Sequence, residues 1–281
     1  MIKRYSDLVK LSHTIFAMPF ALIGYTYALT STNATFEWST LLKVILCMVF
    51  ARNAAMGFNR WVDRDIDALN PRTVNREIPS GVVSPRGALT FVIINSILFI
   101  ATAFLMNNLT GWLSPVALFV VLFYSICKRF TWAAHLWLGI ALSIAPMGAY
   151  AAVCAELSST VTILSGVVMC WCAGFDIIYA MQDREFDMGC GLHSIPSRFT
   201  IRGAKVFSIT LHIVAGALLI LFASKIGGGA VKWAGVALFE VVLFAQHIVA
   251  KRNINIAFAT LNSIASIFLA IAVIFDLLAG N

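Results

Sequence analysis

Long apolar segments alternate with short polar connections along the whole chain. Each segment has about the ~20 residues that a helix needs to cross ~30 Å of hydrocarbon. A backbone in lipid must satisfy its own hydrogen bonds, so continuous apolar segments predict helices, whereas a barrel needs short strands of alternating polarity. We therefore expect an all-α membrane protein with one domain, residues 1–281. Its nine predicted transmembrane helices are 12–30, 40–58, 87–106, 112–128, 132–153, 160–181, 206–224, 231–249 and 256–278.

Composition agrees with a chain dissolved in lipid. Hydrophobic residues make up 60% of the 281 residues and charged residues only 12%, against about 25% charged in a soluble domain. The first apolar segment lacks a small-residue cleavage site, which predicts a retained helix. The six cysteines lie mostly in apolar segments without zinc-site spacing, and we expect them to be packing residues.

The distribution of basic residues predicts the orientation. Sixteen of the 20 Lys and Arg residues fall in the N-terminal segment and the connections on one side of the nine predicted helices. Basic connections stay in the cytoplasm, so we expect a cytoplasmic N-terminus in a multi-pass protein of the cell (inner) membrane. The net charge of +7 follows mostly from this bias, and we expect no nucleic-acid partner and no obligate protein partner.

Two clusters of oxygen-bearing side chains stand at cytoplasmic helix ends. Asn59, Asp63 and Asp67 follow the second predicted helix at i, i+4 and i+8, a spacing that puts them on one helix face. Tyr179, Asp183 and Asp187 repeat this spacing after the sixth helix. Asp176 lies one turn deeper on the same face, and Asp65 points elsewhere.

Stacked aspartates indicate a bound cation. Like charges at i, i+4 destabilise a helix, and carboxylates at a membrane are costly unless they are used. Oxygen donors favour Mg²⁺, which bridges carboxylates to phosphate oxygens. The alternative is a pair of solvated helix ends with local pairing through Arg60, Arg64 and Arg184, but two matching clusters on one side favour the metal.

A repeat relates the two clusters. Each precedes a basic connection with the triplet Ile-Pro-Ser, at Ile78 to Ser80 and at Ile195 to Ser197. Four predicted helices separate the clusters. We therefore expect two parallel four-helix repeats around a central cavity, with the ninth helix appended, and sites often form between such halves.

Arginines near the clusters predict a diphosphate ligand. Arg72, Arg76 and Arg198, with Lys128, follow the helix ends, and arginine grips phosphate with two parallel hydrogen bonds. A diphosphate head on a long apolar tail suits both the charged mouth and the lipid-facing cavity, which indicates polyprenyl diphosphate. Magnesium and arginine would stabilise the leaving diphosphate. An electron-rich ring would then attack the allylic cation, with Tyr124, Lys128 and Tyr179 as candidates for steering either partner.

Both clusters resemble those of a known family. Residues 59–81 (NRWVDRDIDALNPRTVNREIPSG) and 176–199 are similar to the two signatures of the UbiA superfamily of intramembrane prenyltransferases. The resemblance implies that Asn59, Asp63 and Asp67 bind one magnesium through the diphosphate. It implies a second magnesium at Asp183 and Asp187, with Asp176 and Tyr179 behind them. Many members carry Asp where this chain has Arg60. The exchange removes one potential metal ligand, and the positive charge of Arg60 predicts a contact with the diphosphate instead.

The resemblance also suggests the reaction. The runs DALNPRT and QDREFDMGCGLHSIPSRF are similar to the 4-hydroxybenzoate branch, and most to enzymes that prenylate dihydroxynaphthoate in the futalosine route. This implies polyprenyl transfer to hydroxybenzoate or dihydroxynaphthoate in menaquinone or ubiquinone biosynthesis. The alternatives are a haem or lipid-alcohol acceptor, or a cation-coupled transporter. A phosphatidyltransferase of the CDP-alcohol type is disfavoured because its aspartate pattern is missing from the sequence.

The remaining polar residues carry smaller expectations. His193 is predicted to cap the site, and His13 on the first helix could contact the acceptor. His135, His212 and His247 show no evident partners in the sequence, nor do Glu240 and Asp276 inside the last helices. Arg52 lies seven residues before Asn59, and we expect it to pair with Glu240.

Overall fold

The computed structural model describes residues 17–280, and this part of the chain is helical with no strand. Nine main helices occur in it: α1 Met18–Thr32, α2 Trp38–Val62, α3 Pro85–Phe104, α4 Asn108–Cys127, α5 Ala134–Cys154, α6 Ser159–Ala180, α7 Ile201–Lys225, α8 Val231–Val249 and α9 Asn262–Ala279. Shorter elements are the helices Arg64–Leu69, Arg184–Gly189 and Ile195–Arg198, the 3₁₀ turn Met181–Asp183 and the π-helix Ile256–Leu261.

Eight helical segments of the described range, all those after α1, are long and apolar enough to cross a membrane. The multi-pass, all-helical prediction is thereby confirmed. The predicted first span, 12–30, is represented by the 15 residues of α1, and its beginning, with His13, lies outside the described residues. The count of nine spans and the two parallel repeats remain predictions.

Helix ends extend beyond the apolar segments at several places. Helix α2 continues to Val62, four residues past the predicted 58, and α7 begins at Ile201 rather than 206. Thr200 determines the second boundary, because its side chain accepts a hydrogen bond from Gly203 N. Hydropathy marks the lipid crossing, whereas capping and continued backbone bonding set the helix ends.

Helix α6 lies in the interior, where it packs against α5 and α7. Its Trp171 and Ile177 are fully buried. Small residues permit the close approach, since a Cβ on Gly139 of α5 would collide with the Met169 carbonyl of α6. Helix α1 similarly crosses α5 at Gly24. This packing holds the end of α6, which carries the second aspartate cluster, in a fixed position.

The π-helix before α9 has a specific polar support. Asn262 donates hydrogen bonds to the carbonyls of Ala257 and Phe258 and accepts one from Trp171 Nε1 at 2.9 Å. Irregular turns leave backbone groups that need such partners inside a membrane. The turn places the Phe258 ring 4.3 Å from that of Tyr179, next to the second cluster.

The structure supplies partners that the sequence did not reveal. His212 Nδ1 lies 2.8 Å from His247 Nε2, and Asp276 Oδ2 accepts a hydrogen bond from Lys232 N at 2.9 Å, which caps the start of α8. The sequence showed no evident partner for these residues, and the structure provides one for each of the three. Each contact joins two consecutive helices through residues 35 or 44 positions apart, so the periodicity within one helix cannot reveal it.

The predicted pair of Arg52 and Glu240 does not form. Neither Arg52 Nε nor Glu240 Oε1 has a hydrogen-bond partner among the described residues, and no ion pair joins the two side chains there. Helix α2 packs mainly against α3 and α4, whereas α8 packs against α7 and α9. The Glu240 carboxylate instead lies against Gly216 of α7.

Candidate active site

The two clusters open into one cavity of about 140 Å³. Eleven of the fourteen predicted site residues line it: Asn59, Asp63, Asp67, Arg72, Arg76, Tyr124, Lys128, Asp176, Tyr179, Asp183 and Asp187. The two helical stripes and the intervening basic connections therefore meet at one cavity, as the sequence predicts, and the roles of these residues stay predictions.

The first cluster lies at a break in the helix. Helix α2 ends at Val62, and Asp63 joins it to the short helix Arg64–Leu69. Asn59 Nδ2 donates to Asp63 Oδ2 at 3.1 Å, and Asp67 N donates to the Asp63 carbonyl at 2.7 Å. These bonds preserve the i, i+4, i+8 stack across the break.

The second cluster has the same local form. Helix α6 passes through the 3₁₀ turn Met181–Asp183 into the short helix Arg184–Gly189. Asp187 is 2% exposed and accepts a hydrogen bond from Ser194 Oγ at 2.9 Å. Ser194 also caps the helix Ile195–Arg198, so this connection holds Asp187 in place.

Arginines neutralise the aspartates from both sides of the cavity. Arg72 donates two parallel hydrogen bonds to Asp183, at 2.8 Å from Nε and 2.6 Å from Nη2, and Nη1 reaches Tyr179 Oη at 3.2 Å. Arg76 Nη1 lies 2.7 and 2.8 Å from the two carboxylate oxygens of Asp67. The connection after the first cluster therefore ties it to the second.

Asp63 has a cationic partner that the sequence-based list of site residues omitted. Arg129 Nη2 donates to Asp63 Oδ1 at 3.1 Å and to the Val62 carbonyl at 2.8 Å, at the end of α2. Burial raises the pKa of Asp63, and the positive charge of Lys128 works against that rise. For Arg72, burial acts to lower the pKa, but the hydrogen bond and charge of Asp183 outweigh it and raise the pKa.

The deeper wall of the cavity contains a second kind of pair. Asp176 Oδ2 lies 2.6 Å from Nδ1 of His135, and His135 is fully buried. Tyr124 and Ser125 line the cavity at the end of α4. The sequence missed the pair because His135 is on α5, and only the packing of α5 against α6 brings it to Asp176.

Three predicted substrate-binding residues do not line this cavity: Arg60, His193 and Arg198. Arg60 is 4% exposed and its Nε lies 3.7 Å from Glu77 Oε2. Because Arg60 follows Asn59 directly in the helix, its side chain points to a different face of α2 from that of Asn59. His193 and Arg198 are exposed, and the backbone N of His193 donates to the Lys128 carbonyl at 2.7 Å. The cavity instead adds Asn70, Thr73, Ser125 and Arg129.

The donor set is compatible with magnesium that arrives with a phosphate ligand. No three Asp, Glu, His or Cys residues of the described range are close enough to hold a metal by themselves. Mg²⁺ normally takes only one or two protein carboxylates and completes its shell with water and phosphate oxygens. Five oxygen-donor residues face the cavity for this purpose: Asn59, Asp63, Asp67, Asp183 and Asp187.

Fold and cavity together define an intramembrane protein with a charged, carboxylate-rich site at one end of its helices. The model of the UbiA prenyltransferase family matches residues 17–275. The chain belongs to this family and is a prenyltransferase.

Known proteins agree with this assignment. The chain is 32% identical over 221 residues to the 4-hydroxybenzoate octaprenyltransferase of Aliivibrio fischeri (strain MJ11), covering 77% of this chain and 76% of that protein. It is 30% identical over 223 residues to the enzyme of the same name from Vibrio atlanticus (strain LGP32), covering 79% and 78%.

Solved structures share the fold. The apo structure of a UbiA homologue from Aeropyrum pernix K1 superposes with a TM-score of 0.86 at 34% identity and covers 94% of this chain and 98% of that one. A UbiA homologue from Archaeoglobus fulgidus bound to GPP and Mg²⁺ gives a TM-score of 0.73 at 20% identity, with 98% and 99% covered. The latter likeness shows the fold alone.

Proposed function

We propose that this protein transfers a polyprenyl group from polyprenyl diphosphate to an aromatic acid, with Mg²⁺, in quinone biosynthesis. The observation that carries the proposal is the convergence of two aspartate clusters and their arginines on one cavity at one end of the helices. That arrangement suits a ligand with a charged diphosphate head and an apolar tail. It suits a cation transporter less well, because the acidic groups lie at one end of the helices rather than near the midplane.

The arginines act by exchanging partners. Arg72 and Arg76 now hold Asp183 and Asp67, and an entering diphosphate offers the same kind of oxygen acceptor. Each guanidinium then binds the diphosphate, while the released carboxylates, with Asn59, would hold Mg²⁺. Bound magnesium would supply positive charge that stabilises the leaving diphosphate.

The cavity residues below the charged layer act on the carbon skeleton. The allylic C–O bond breaks and its electron pair leaves with the diphosphate. Tyr124 and Tyr179 present aromatic side chains to the same cavity, and aromatic faces stabilise a nearby cation. Exclusion of water by the surrounding apolar residues favours attack by the acceptor ring over hydrolysis.

Arg52 supports an acceptor that carries a carboxylate. It lies two turns below Asn59 on α2, and its buried Nε has no hydrogen-bond partner in residues 17–280. A buried guanidinium without an acidic partner is costly, and a hydroxybenzoate or dihydroxynaphthoate carboxylate would supply one. The names of the Aliivibrio and Vibrio relatives favour 4-hydroxybenzoate. The 1,4-dihydroxy-6-naphthoate of the resemblance noted above remains the second candidate.

The orientation and organisation belong to the same proposal. The clusters and their basic connections face the cytoplasm, the chain is embedded in the inner membrane, and residues 1–281 act as one domain without an obligate protein partner. Two parallel four-helix repeats would place α2 and α6 at equivalent positions on either side of the cavity. In agreement with this, α2 packs on α3 as α6 packs on α7.

An assay with purified protein tests the proposal. The full chain in detergent receives Mg²⁺, radiolabelled geranyl diphosphate and one acceptor at a time: 4-hydroxybenzoate, 1,4-dihydroxy-6-naphthoate or 1,4-dihydroxy-2-naphthoate. We expect a prenylated product that disappears with a chelator and with Asp63→Ala. Asp65→Ala is the matched control, because Asp65 points to solvent with 82% of its side chain exposed.

Two negative results of this assay have different meanings. Binding of diphosphate without a product from any of these rings would move the acceptor to haem or a lipid alcohol. If geranyl diphosphate does not bind at all, the proposed site is wrong, and cation uptake into sealed vesicles becomes the next measurement.

A further inference from the structure

The pair of Asp176 and His135 lies in the part of the cavity where the acceptor ring must react. Asp176 precedes Asp183 by seven residues, two helical turns or about 10 Å along the axis. The reacting carbon of a prenyl diphosphate is bonded directly to the diphosphate, and a ring in position for attack lies about 3–3.5 Å beyond that carbon. With the diphosphate at Asp183 and the prenyl chain pointing into the cavity, the ring lies below Asp183 on the wall that carries Asp176.

Asp176 differs from every other carboxylate that lines the cavity. Asp63, Asp67 and Asp183 are each held by a guanidinium, and Asp187 is held by Ser194. Asp176 is held through Oδ2 by a buried imidazole, whereas its Oδ1 forms no hydrogen bond with any described residue. Asp176 and Asp187 are thus the cavity carboxylates without a guanidinium partner, and Asp176 is the one of the two that lies in the deeper wall, with Oδ1 available.

His135 is built to orient Asp176 rather than to bind a ligand itself. It is fully buried, its Nδ1 faces Asp176 at 2.6 Å, and its Nε2 has no partner within residues 17–280. A neutral imidazole with the proton on Nδ1 donates to the carboxylate and fixes its rotation. In many active sites a second side chain that is hydrogen-bonded to the base holds the base in a productive orientation.

We propose that Asp176 is the base that removes the ring proton after prenyl transfer, and that His135 is its positioning residue. This inference rests on the proposed function. The prenyl C–O bond breaks with its electron pair on the diphosphate, and a ring π pair forms the new C–C bond. The C–H bond at that ring carbon then breaks, its pair restores the aromatic ring, and the proton passes to Asp176. No oxidant or reductant enters this sequence.

The test is an isotope effect measured with the acceptor that the wild type uses in the panel assay. That acceptor is prepared with deuterium at the reactive ring carbons, and kcat is measured separately with the labelled and the unlabelled ring in the full-length protein in detergent. In the wild type the ring C–H bond breaks after the slow ionisation, so we expect an isotope effect near unity. Asp176→Asn removes the base, and we expect kcat to fall about 100-fold or more, with a normal isotope effect because proton removal has become slow.

His135→Gln and Asp183→Asn complete the set. His135→Gln keeps a hydrogen-bond donor to Asp176, so it should lose less activity than His135→Ala and show a smaller isotope effect. Asp183→Asn weakens diphosphate binding instead, and its isotope effect should stay near unity. Binding of geranyl diphosphate by the Asp176 and His135 variants shows that their sites have folded.

Three results would overturn the inference. Asp176→Asn with wild-type turnover would show that another group takes the proton. A slow Asp176→Asn variant with an isotope effect still at unity would place Asp176 in binding or ionisation. Absence of product from the wild type would remove the proposed function, and this inference with it.

Discussion

Arg72 and Asp183 are joined by two parallel hydrogen bonds although 111 residues separate them in the chain. The pair links the connection after α2 to the turn after α6. In doing so it neutralises one aspartate of the second cluster with an arginine that follows the first. The two clusters therefore form one electrostatic unit.

The contact predicts a role for Arg72 in holding the diphosphate. Replacement by Ala removes a two-pronged, charge-assisted contact, and such contacts are roughly twice as strong as neutral hydrogen bonds. We expect Arg72→Ala to weaken geranyl diphosphate binding about 10-fold or more, at about 1.4 kcal/mol per tenfold change, and Arg72→Lys to recover part of the loss. The dissociation constant is measured by titrating each variant with labelled geranyl diphosphate in the presence of Mg²⁺.

Arg64→Ala is the control for that experiment. Arg64 faces the Trp61 ring and the exposed Asp65, outside the cavity. Equal losses from Arg64→Ala and Arg72→Ala would mean that general positive charge, rather than this contact, binds the diphosphate.

The position of Asp63 predicts a pH dependence. Burial raises its pKa, and the positive charge of Lys128 opposes the rise. The carboxylate must be ionised to serve Mg²⁺, so binding of Mg²⁺ with geranyl diphosphate should weaken as the pH falls through this raised pKa, beginning at a higher pH than for an ordinary aspartate. Because the folded chain holds this proton more tightly than the unfolded chain, the contribution of Asp63 to the free energy of unfolding falls as the pH rises through the same range.

Binding isotherms between about pH 5 and pH 8 test this dependence. The side chain of Asp63→Asn cannot ionise. This variant should therefore bind Mg²⁺ with geranyl diphosphate weakly, and its affinity should change less on the acid side of the pH profile than that of the wild type. The variant of the exposed residue, Asp65→Asn, should show the wild-type profile. If the affinity of Asp63→Asn fell at low pH as steeply as that of the wild type, the pH dependence would belong to another group.

Asp276 predicts a stability effect without a role in the reaction. Its carboxylate accepts the hydrogen bond of Lys232 N at the start of α8 and is 5% exposed. Asp276→Ala leaves that buried N–H without a partner, which costs about 1–3 kcal/mol. We expect a lower thermal midpoint with near-normal turnover at low temperature, and a smaller loss for Asp276→Asn. Ser224→Ala is the control, since the exposed Ser224 bonds only to Ile220 of its own helix.

The sequence predicts those parts of the molecule that depend on local periodicity. Apolar segments locate eight described spans, and the i, i+4, i+8 spacing places Asp63 on one stripe and Asp183 on the other. These features require only helix geometry. The same reasoning recognises that the two stripes share chemistry because each precedes a basic connection.

Contacts between distant helices are beyond such reasoning. Arg60 follows Asn59 directly, yet the helix turns it towards Glu77 and away from the cavity. Arg52 lacks the expected Glu240 because α2 and α8 have different neighbours. His135 shows no signal apart from being an ionisable residue in an apolar segment, and only the tertiary packing reveals that it faces Asp176.

Ser194 provides a further prediction about the second cluster. Its hydroxyl donates to the buried Asp187 and also accepts the hydrogen bond of Ser197 N. Groups that orient a metal-binding carboxylate commonly change metal affinity or activity about 10- to 100-fold when they are removed. We therefore expect Ser194→Ala to raise the Mg²⁺ concentration for half-maximal activity by about 10-fold, besides lowering the thermal midpoint through loss of the helix cap.

Ser197→Ala separates the two effects of Ser194. Ser197 Oγ shares the capping interaction, accepting from Ser194 N, but Asp187 is not among its hydrogen-bond partners. It should therefore lower the thermal midpoint while leaving the magnesium dependence near that of the wild type. A parallel shift of magnesium dependence in both variants would show that the cap alone, and not the bond from Ser194 to Asp187, maintains the second cluster.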